Sequence, residues 1–366
     1  MVHGKRGGRM KEYLREDLRS LKPYRPVRGE FSLKMDANET PFPIPLEIRA
    51  QLASELLEEN NYHRYPDPDA DSLREKLAED LKISRDSILI GNGSDELIRM
   101  VTNAFVDWGD AVLCPSPSFP VYSQCTRIAG GIAAEYPLGK EFCYDLGEME
   151  QSMEEYEPKV IYIGSPNNPT GNIMPVPDIR KLARSFDGIV VVDEAYYEFC
   201  GESVISFIDQ YPNLVVLRTF SHAMGIAGLR VGYLACNKNL AYGIQKIKPV
   251  FNVNCFSQRA AELIWQCRED REKQVREIRD AREWLFQALD GLRGVHPYPT
   301  KANFILFRVK NGALVYQRLL KKGILVRRFT GDPILKDCLR VTIGRMEENR
   351  YFLHSLAEIL VDMEEW

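Results

Sequence analysis

The sequence predicts an α/β protein with a large domain around a mostly parallel sheet and a smaller α+β domain. Three observations carry that reading. Short, unbroken apolar runs recur along the first two thirds of the chain, each ending in a polar or glycine-rich loop. Strands buried on both faces read as unbroken runs, whereas half-exposed strands alternate. After about residue 255 the pattern changes to a long charged stretch followed by alternating runs. The chain has 366 residues, too many for one small core, so two domains are expected.

The elements follow in order. Ser87-Ile-Leu-Ile-Gly91 reads as a strand running into Gly91-Asn-Gly93. Ser94 then offers an N-cap, with Asp95 and Glu96 in the first turn of a helix through Leu97–Val101. Val112-Leu-Cys114 ends at a Pro-Ser-Pro turn, and Val160–Ile163 ends at Gly164-Ser-Pro166. Gly188–Val192 ends at Asp193, and Leu214–Leu217 leads to Thr219. Ligands bind at the carboxyl ends of such strands, where Ser94, Asn168, Asp193 and Ser221 all fall. Residues 257–291 form one long helix-prone stretch, and the alternating runs Asn303–Phe307 and Leu339–Ile343 suit the smaller domain.

Composition excludes several classes. The net charge of −4 lacks the basic excess of a nucleic-acid surface. Local arginines can still bind a carboxylate. The eight cysteines contain no Cys-x-x-Cys pair and several sit in apolar runs, which predicts buried thiols in a reducing cytoplasm. The five histidines show no metal-ligand spacing, so no metal is expected. No apolar run approaches the ~18 residues of a membrane span. The basic, glycine-rich start reads as a disordered lead rather than a secretory signal. No Gly-x-x-x-x-Gly-Lys-Ser/Thr or Gly-x-Gly-x-x-Gly string supports a nucleotide module.

Four segments carry chemistry. Gly91-Asn-Gly-Ser-Asp-Glu96 is a glycine-rich turn opening a helix, which suits an anion or simply a loop. Asp193 closes a buried strand in Val191-Val-Asp-Glu-Ala-Tyr196, as a functional acid or as an N-cap. Ser165-Pro-Asn-Asn-Pro-Thr-Gly171 presents Asn168, and Tyr196 adds a hydroxyl. Leu217-Arg-Thr-Phe-Ser-His-Ala-Met-Gly-Ile-Ala-Gly-Leu-Arg-Val-Gly-Tyr233 holds Ser221, His222 and Arg230 between glycines that permit close backbone approach.

Together these segments resemble the histidinol-phosphate aminotransferase group of the fold-type-I pyridoxal 5'-phosphate (PLP) aminotransferases. The resemblance runs from about Leu18 to the C-terminus. It includes Asp36–Pro41, Asn61–Asp67, Pro117–Tyr122, Phe251–Asn254 and Leu339–Gly344. It implies a seven-stranded, mostly parallel sheet in a large PLP-binding domain at 46–255. A small domain at 256–366 and an N-terminal arm at 1–45 packing on it complete the chain. It implies phosphate contacts from Ser94, Asp95, Ser221 and Arg230, and an ionised Asp193 opposite the pyridine nitrogen. Asn168 and Tyr196 would serve the phenolic oxygen. Phe119 would stack on the ring, where the family usually has tyrosine. Tyr65 would reach the neighbouring subunit's phosphate, so a homodimer with shared sites follows. Arg340 would pair with the substrate carboxylate, and Tyr24, Asn38, Asn303 and Arg328 would line the substrate side.

The segment departs from the family at His222, where the resemblance implies a lysine that forms a Schiff base with the cofactor. An imidazole forms no imine. PLP would then be held non-covalently, or as the amino form, or as an aldimine with substrate. His222 can still act as a base, with an ordinary pKa near ~6.5. Three readings stay open: an aminotransferase with His222 as base, a lyase, dehydratase or decarboxylase on the same scaffold, and a non-catalytic PLP-binding protein. Small-molecule amines or amino acids and a 2-oxo acid are the expected partners.

Overall fold

The computed structural model describes residues 13–19, 21, 23, 25–58 and 62–364. In chain order its strands are Leu33–Met35 (β1), Ile88–Gly91 (β2), Ala111–Ser116 (β3), Ile132–Pro137 (β4), Val160–Gly164 (β5) and Ile189–Asp193 (β6). Leu214–Thr219 (β7), Gly232–Cys236 (β8), Val295–Pro297 (β9), Phe304–Val309 (β10), Ile324–Arg328 (β11) and Cys338–Thr342 (β12) complete them. Seven strands form one sheet in the order β2-β8-β7-β6-β5-β3-β4. Only β8 runs antiparallel to its neighbours there. A second sheet has the order β1-β11-β12-β10-β9.

The unbroken apolar runs have a direct explanation. Alternate residues of one strand feed two cores, one on each face of the seven-stranded sheet. Ile161, Ile163, Val190 and Val192 enter the cluster on one face. Val160, Tyr162 and Val191 enter the cluster on the other. A strand with helices on both sides has no face left for polar residues. By contrast, the edge strand β4 alternates exposed and buried residues along Ile-Ala-Ala-Glu-Tyr-Pro. The sequence therefore offered no unbroken run there.

The long helix expected over 257–291 is two helices, Cys255–Gln266 and Arg268–Asp290. The break falls where the packing partner changes. The first helix puts Ala260, Ala261, Leu263, Ile264 and Trp265 against the large-sheet core. The second sends Val275, Ile278, Ala281, Leu285 and Leu289 into the core of the five-stranded sheet. Asp80 clamps the junction, accepting from Trp265 Nε1 at 2.5 Å and pairing with Arg268 at 2.9 Å. One straight helix would have to face both cores with a single stripe.

The N-terminal segment touches both parts. Strand β1 joins β11 in the five-stranded sheet. Arg15 instead donates to the carbonyl of Ile128 at 3.0 Å and lies over the Trp108 ring, beside the large sheet. All eight cysteines are free thiols. Among the described residues no helix is long and apolar enough to cross a membrane.

Candidate active site

The carboxyl ends of β2, β5, β6 and β7 meet one wall of the five-stranded sheet, and the sequence-predicted residues converge there. The helix Ser94–Phe105 starts at this edge. Ser94 is its first residue, not its cap; Gly93 caps it at φ +79° with no side-chain cap bond. The first amide groups are thus left to an external acceptor, at the positive end of the helix dipole. Two glycines make room. A Cβ on Gly93 would lie 2.5 Å from Arg230 Nη2, and one on Gly232 would lie 2.7 Å from the Ser94 nitrogen. Arg230 pairs with Asp95 at 3.0 Å and donates to Ser221 Oγ at 3.4 Å. Thr219 Oγ1 holds the same serine at 2.9 Å.

Asp193 ends β6 and is 6% exposed. Its Oδ2 accepts from the Tyr122 hydroxyl at 2.6 Å, and its Oδ1 accepts from the Ala195 amide at 3.0 Å. Burial raises its pKa to about 6, against the pull of those two donors. The short helix that follows, Tyr197–Cys200, is capped by Tyr196 rather than by Asp193. Tyr196 lies beside it, accepting from Asn38 Nδ2 at 2.9 Å and Asn168 Nδ2 at 3.4 Å. Burial raises the Tyr196 pKa to about 12, while the nearby Arg340 charge opposes the rise. Phe119, partly buried, meets the Tyr122 ring edge-on at 5.7 Å.

His222 is fixed on two sides. Its ring stacks on Tyr196 at 4.4 Å and 18°. Its Nδ1 lies 2.8 Å from the Asn38 carbonyl. A carbonyl only accepts, so Nδ1 carries the hydrogen and Nε2 keeps its lone pair. Desolvation lowers the pKa to about 4, with the Asn38 carbonyl opposing and Arg340 and Arg230 adding to the fall. The imidazole is therefore wholly neutral at pH 7, where the sequence alone suggested a partly protonated one. The depressed pKa makes a stability contribution that is complete above pH ~6.5 and is lost as pH falls through about 4. His222→Asn keeps an N–H for the Asn38 carbonyl and does not titrate. It should reduce the loss of stability between pH 7 and pH 5 by about 2 kcal/mol. Urea unfolding of both proteins at the two pH values checks this; parallel losses would refute it.

The N-terminal segment closes the site from above. Asn38 sits at φ +57° and is 2% exposed. Its amide donates to Thr342 Oγ1 at 3.0 Å, and its carbonyl accepts from Asn303 Nδ2 at 2.9 Å. Asn303 thus supports Asn38 from within the protein. Arg340 Nη1 donates to Asn168 Oδ1 at 2.5 Å and Nη2 to the Asp36 carbonyl at 2.7 Å. That places the guanidinium between the two sheets.

Two expected residues stand apart, and a third lies outside the described residues. Arg328 lies opposite Leu339 in the β11–β12 register, and its guanidinium lies over the Tyr316 ring. Leu339 points into the core, so Arg328 is on the far face. Arg327 lies opposite Arg340 and shares its face. The adjacent arginines are indistinguishable in sequence, and a one-residue shift in register swaps their faces. Tyr65 is 81% exposed and stacks on Phe251 at 4.4 Å. Tyr24 lies outside the described residues. Nothing in the sequence marks Tyr122, because a buried tyrosine reads as core until its hydroxyl is seen on Asp193. Among the described residues no group of His, Cys, Asp and Glu could hold a metal ion.

The family model for aminotransferase class I and II matches residues 32–356. The chain is 40% identical over 353 residues to a histidinol-phosphate aminotransferase of Ruminiclostridium cellulolyticum, covering 96% of this chain and 99% of that protein. It is also 40% identical to one from Caldanaerobacter subterraneus subsp. tengcongensis, covering 95% and 98%. The crystal structure of histidinol-phosphate aminotransferase from Sinorhizobium meliloti superposes with a TM-score of 0.86 at 23% identity, covering 96% of this chain and 98% of that one.

Proposed function

The chain belongs to the class I and II aminotransferase family, and on that premise we propose a PLP-dependent aminotransferase of the histidinol-phosphate type. It exchanges an amino group between a phosphorylated amine or amino acid and 2-oxoglutarate. One observation carries the reading: a glycine-opened helix N-terminus without a side-chain cap, beside Ser221 and Arg230, lies within electrostatic reach of the buried carboxylate of Asp193. Those two ends match a group bearing a phosphate at one end and a basic ring nitrogen at the other. The donor set therefore fits PLP.

When bound, PLP supplies a ring that draws electrons from the substrate's α-carbon. Ser94, Ser221 and Arg230, with the main-chain N–H of Asp95, would hold its phosphate; the Arg230–Asp95 pair fixes the guanidinium beside the helix N-terminus. Asp193 keeps the ring nitrogen protonated, and Asn168 and Tyr196 hold the phenolic oxygen. Phe119 would stack against the PLP ring. We place His222 where the family has its lysine. Its Nε2 takes the substrate's α-proton, and its neutral state at pH 7 suits a base. No covalent tether forms at that position, so affinity for the group rests on charge and hydrogen bonds.

Arg340 binds the substrate carboxylate. Lysine cannot reproduce a bidentate grip. Arg340→Lys should raise KM for both the amine donor and the 2-oxo acid by roughly a hundredfold, with a smaller change in kcat. Unchanged KM values would remove Arg340 from this role. The function itself is tested with purified protein, PLP, histidinol phosphate and 2-oxoglutarate. Glutamate should accumulate with repeated turnover; PLP bound with no glutamate formed would favour the non-catalytic reading.

The two sheets support the expected large and small domains with 1–45 as an arm, but the change of packing partner at Cys267 favours a boundary there rather than at 255/256. Tyr65, exposed on its stack with Phe251, supports a homodimer in which a second subunit covers it.

A further inference from the structure

The geometry points to Tyr122 as a positioning residue: its hydroxyl holds the Asp193 carboxylate oriented and ionised, and its ring ties that carboxylate to Phe119. This rests on the PLP reading above. Tyr122 is 2% exposed and lies in the Val121–Ala129 helix. It stacks on Tyr162 at 4.6 Å and 8°, and Tyr162 is anchored by Thr102 Oγ1 at 2.9 Å. Phe119 meets the other side of Tyr122 edge-on. One rigid aromatic unit therefore positions both Phe119 and the Asp193 carboxylate.

The bond asks for a donor at this point. Asp193 is surrounded by groups that disfavour its charge or leave it unchanged. Asp95 approaches from the Ser94 helix and Glu194 from its own strand end. Each of those carboxylates is matched by an arginine, Arg230 at 3.0 Å and Arg218 at 2.8 Å. Tyr144, Tyr162 and Tyr196 face Asp193 as neutral phenols. Tyr144 spends its hydroxyl on the Gly164 carbonyl at 2.6 Å. That leaves the Tyr122 hydroxyl and the Ala195 amide as the donors to Asp193. A hydrogen bond to the charged form favours ionisation.

Tyr122→Phe removes the hydroxyl and keeps the ring. The carboxyl of Asp193 is read in ligand-free protein by its infrared C=O band, assigned by its loss in Asp193→Asn. Its midpoint should rise by about one pH unit in the variant. PLP and pyridoxamine 5'-phosphate, titrated by equilibrium dialysis from pH 5.5 to 9, should bind up to roughly tenfold more weakly at pH 5.5 but only about twofold more weakly at pH 7, as the pH midpoint moves the same way. A more acidic donor, 3-fluorotyrosine at position 122, should move the infrared midpoint down. It keeps the test available if the phenylalanine protein does not fold. A lower melting temperature with unmoved infrared and binding midpoints would reduce Tyr122 to packing and overturn the inference. If the unmodified protein binds neither vitamer, the PLP reading fails. The infrared arm, measured without ligand, still decides the Tyr122–Asp193 bond.

Discussion

Asp193→Asn is expected to cut amino-group transfer by on the order of a thousandfold while making the ligand-free protein more stable above pH 6. The loss follows from charge. An amide cannot hold a proton on a ring nitrogen, and a preorganised charge at the reacting system is commonly worth 10²–10³ in rate. The gain follows from burial. Asp193 has its pKa raised from 3.8 to about 6. A carboxyl harder to ionise when folded costs nothing below pH 3.8, where it is protonated in both states. The cost grows as pH rises and is complete above about pH 6. The span corresponds to at most about 3 kcal/mol. Asparagine fits the same bonds, since its oxygen can accept from the Ala195 amide and its NH2 can donate to the Tyr122 hydroxyl. Urea unfolding at pH 4 and pH 8 should show little gain at the first and most of it at the second. Equal stability at pH 8, or undiminished transfer, would contradict the assignment. A residue that costs stability until a cation arrives is what a built binding site looks like.

His222→Lys should create a borohydride-stable link to PLP at position 222 and raise amino transfer by roughly 10²–10⁴. Two constraints limit the histidine. Its Nδ1–H is committed to the Asn38 carbonyl, and its ring is clamped on Tyr196. Only Nε2 remains, on a stiff side chain, and it forms no imine. A lysine has a flexible stem and serves both as tether and as base. The remaining lysines near the chain's anchor segments are occupied differently. Lys248 is buried against Asp69 and the Pro68 carbonyl, and Lys246 lies over Tyr242. Peptide mapping after borohydride would locate the label. A label on another lysine in the unmodified protein, or no label and no gain in the variant, would show that position 222 is not the anchor site.

Much of this site was legible because its residues lie in short segments at strand ends. Unbroken apolar runs named β3, β5, β6 and β7, and the turn residues after them named Asn168, Asp193 and Ser221. The edge strand β4 was not legible, because half exposure breaks its run. The helix break at Cys267 was not legible either, since both halves have good helix-forming residues and only the change of core separates them.

By itself the amino-acid order determined the α/β layering and the family resemblance, and it singled out His222 as an expected departure. These depend on residue type and local spacing, which a linear chain records. The three-dimensional packing alone decided that His222 is neutral and donates through Nδ1, that Tyr122 serves Asp193, and that Arg327 rather than Arg328 shares the face of Arg340. Each of those depends on a carbonyl, a carboxylate or a neighbouring strand far along the chain. Proton affinity and side-chain direction follow from what stands within a few ångströms in space.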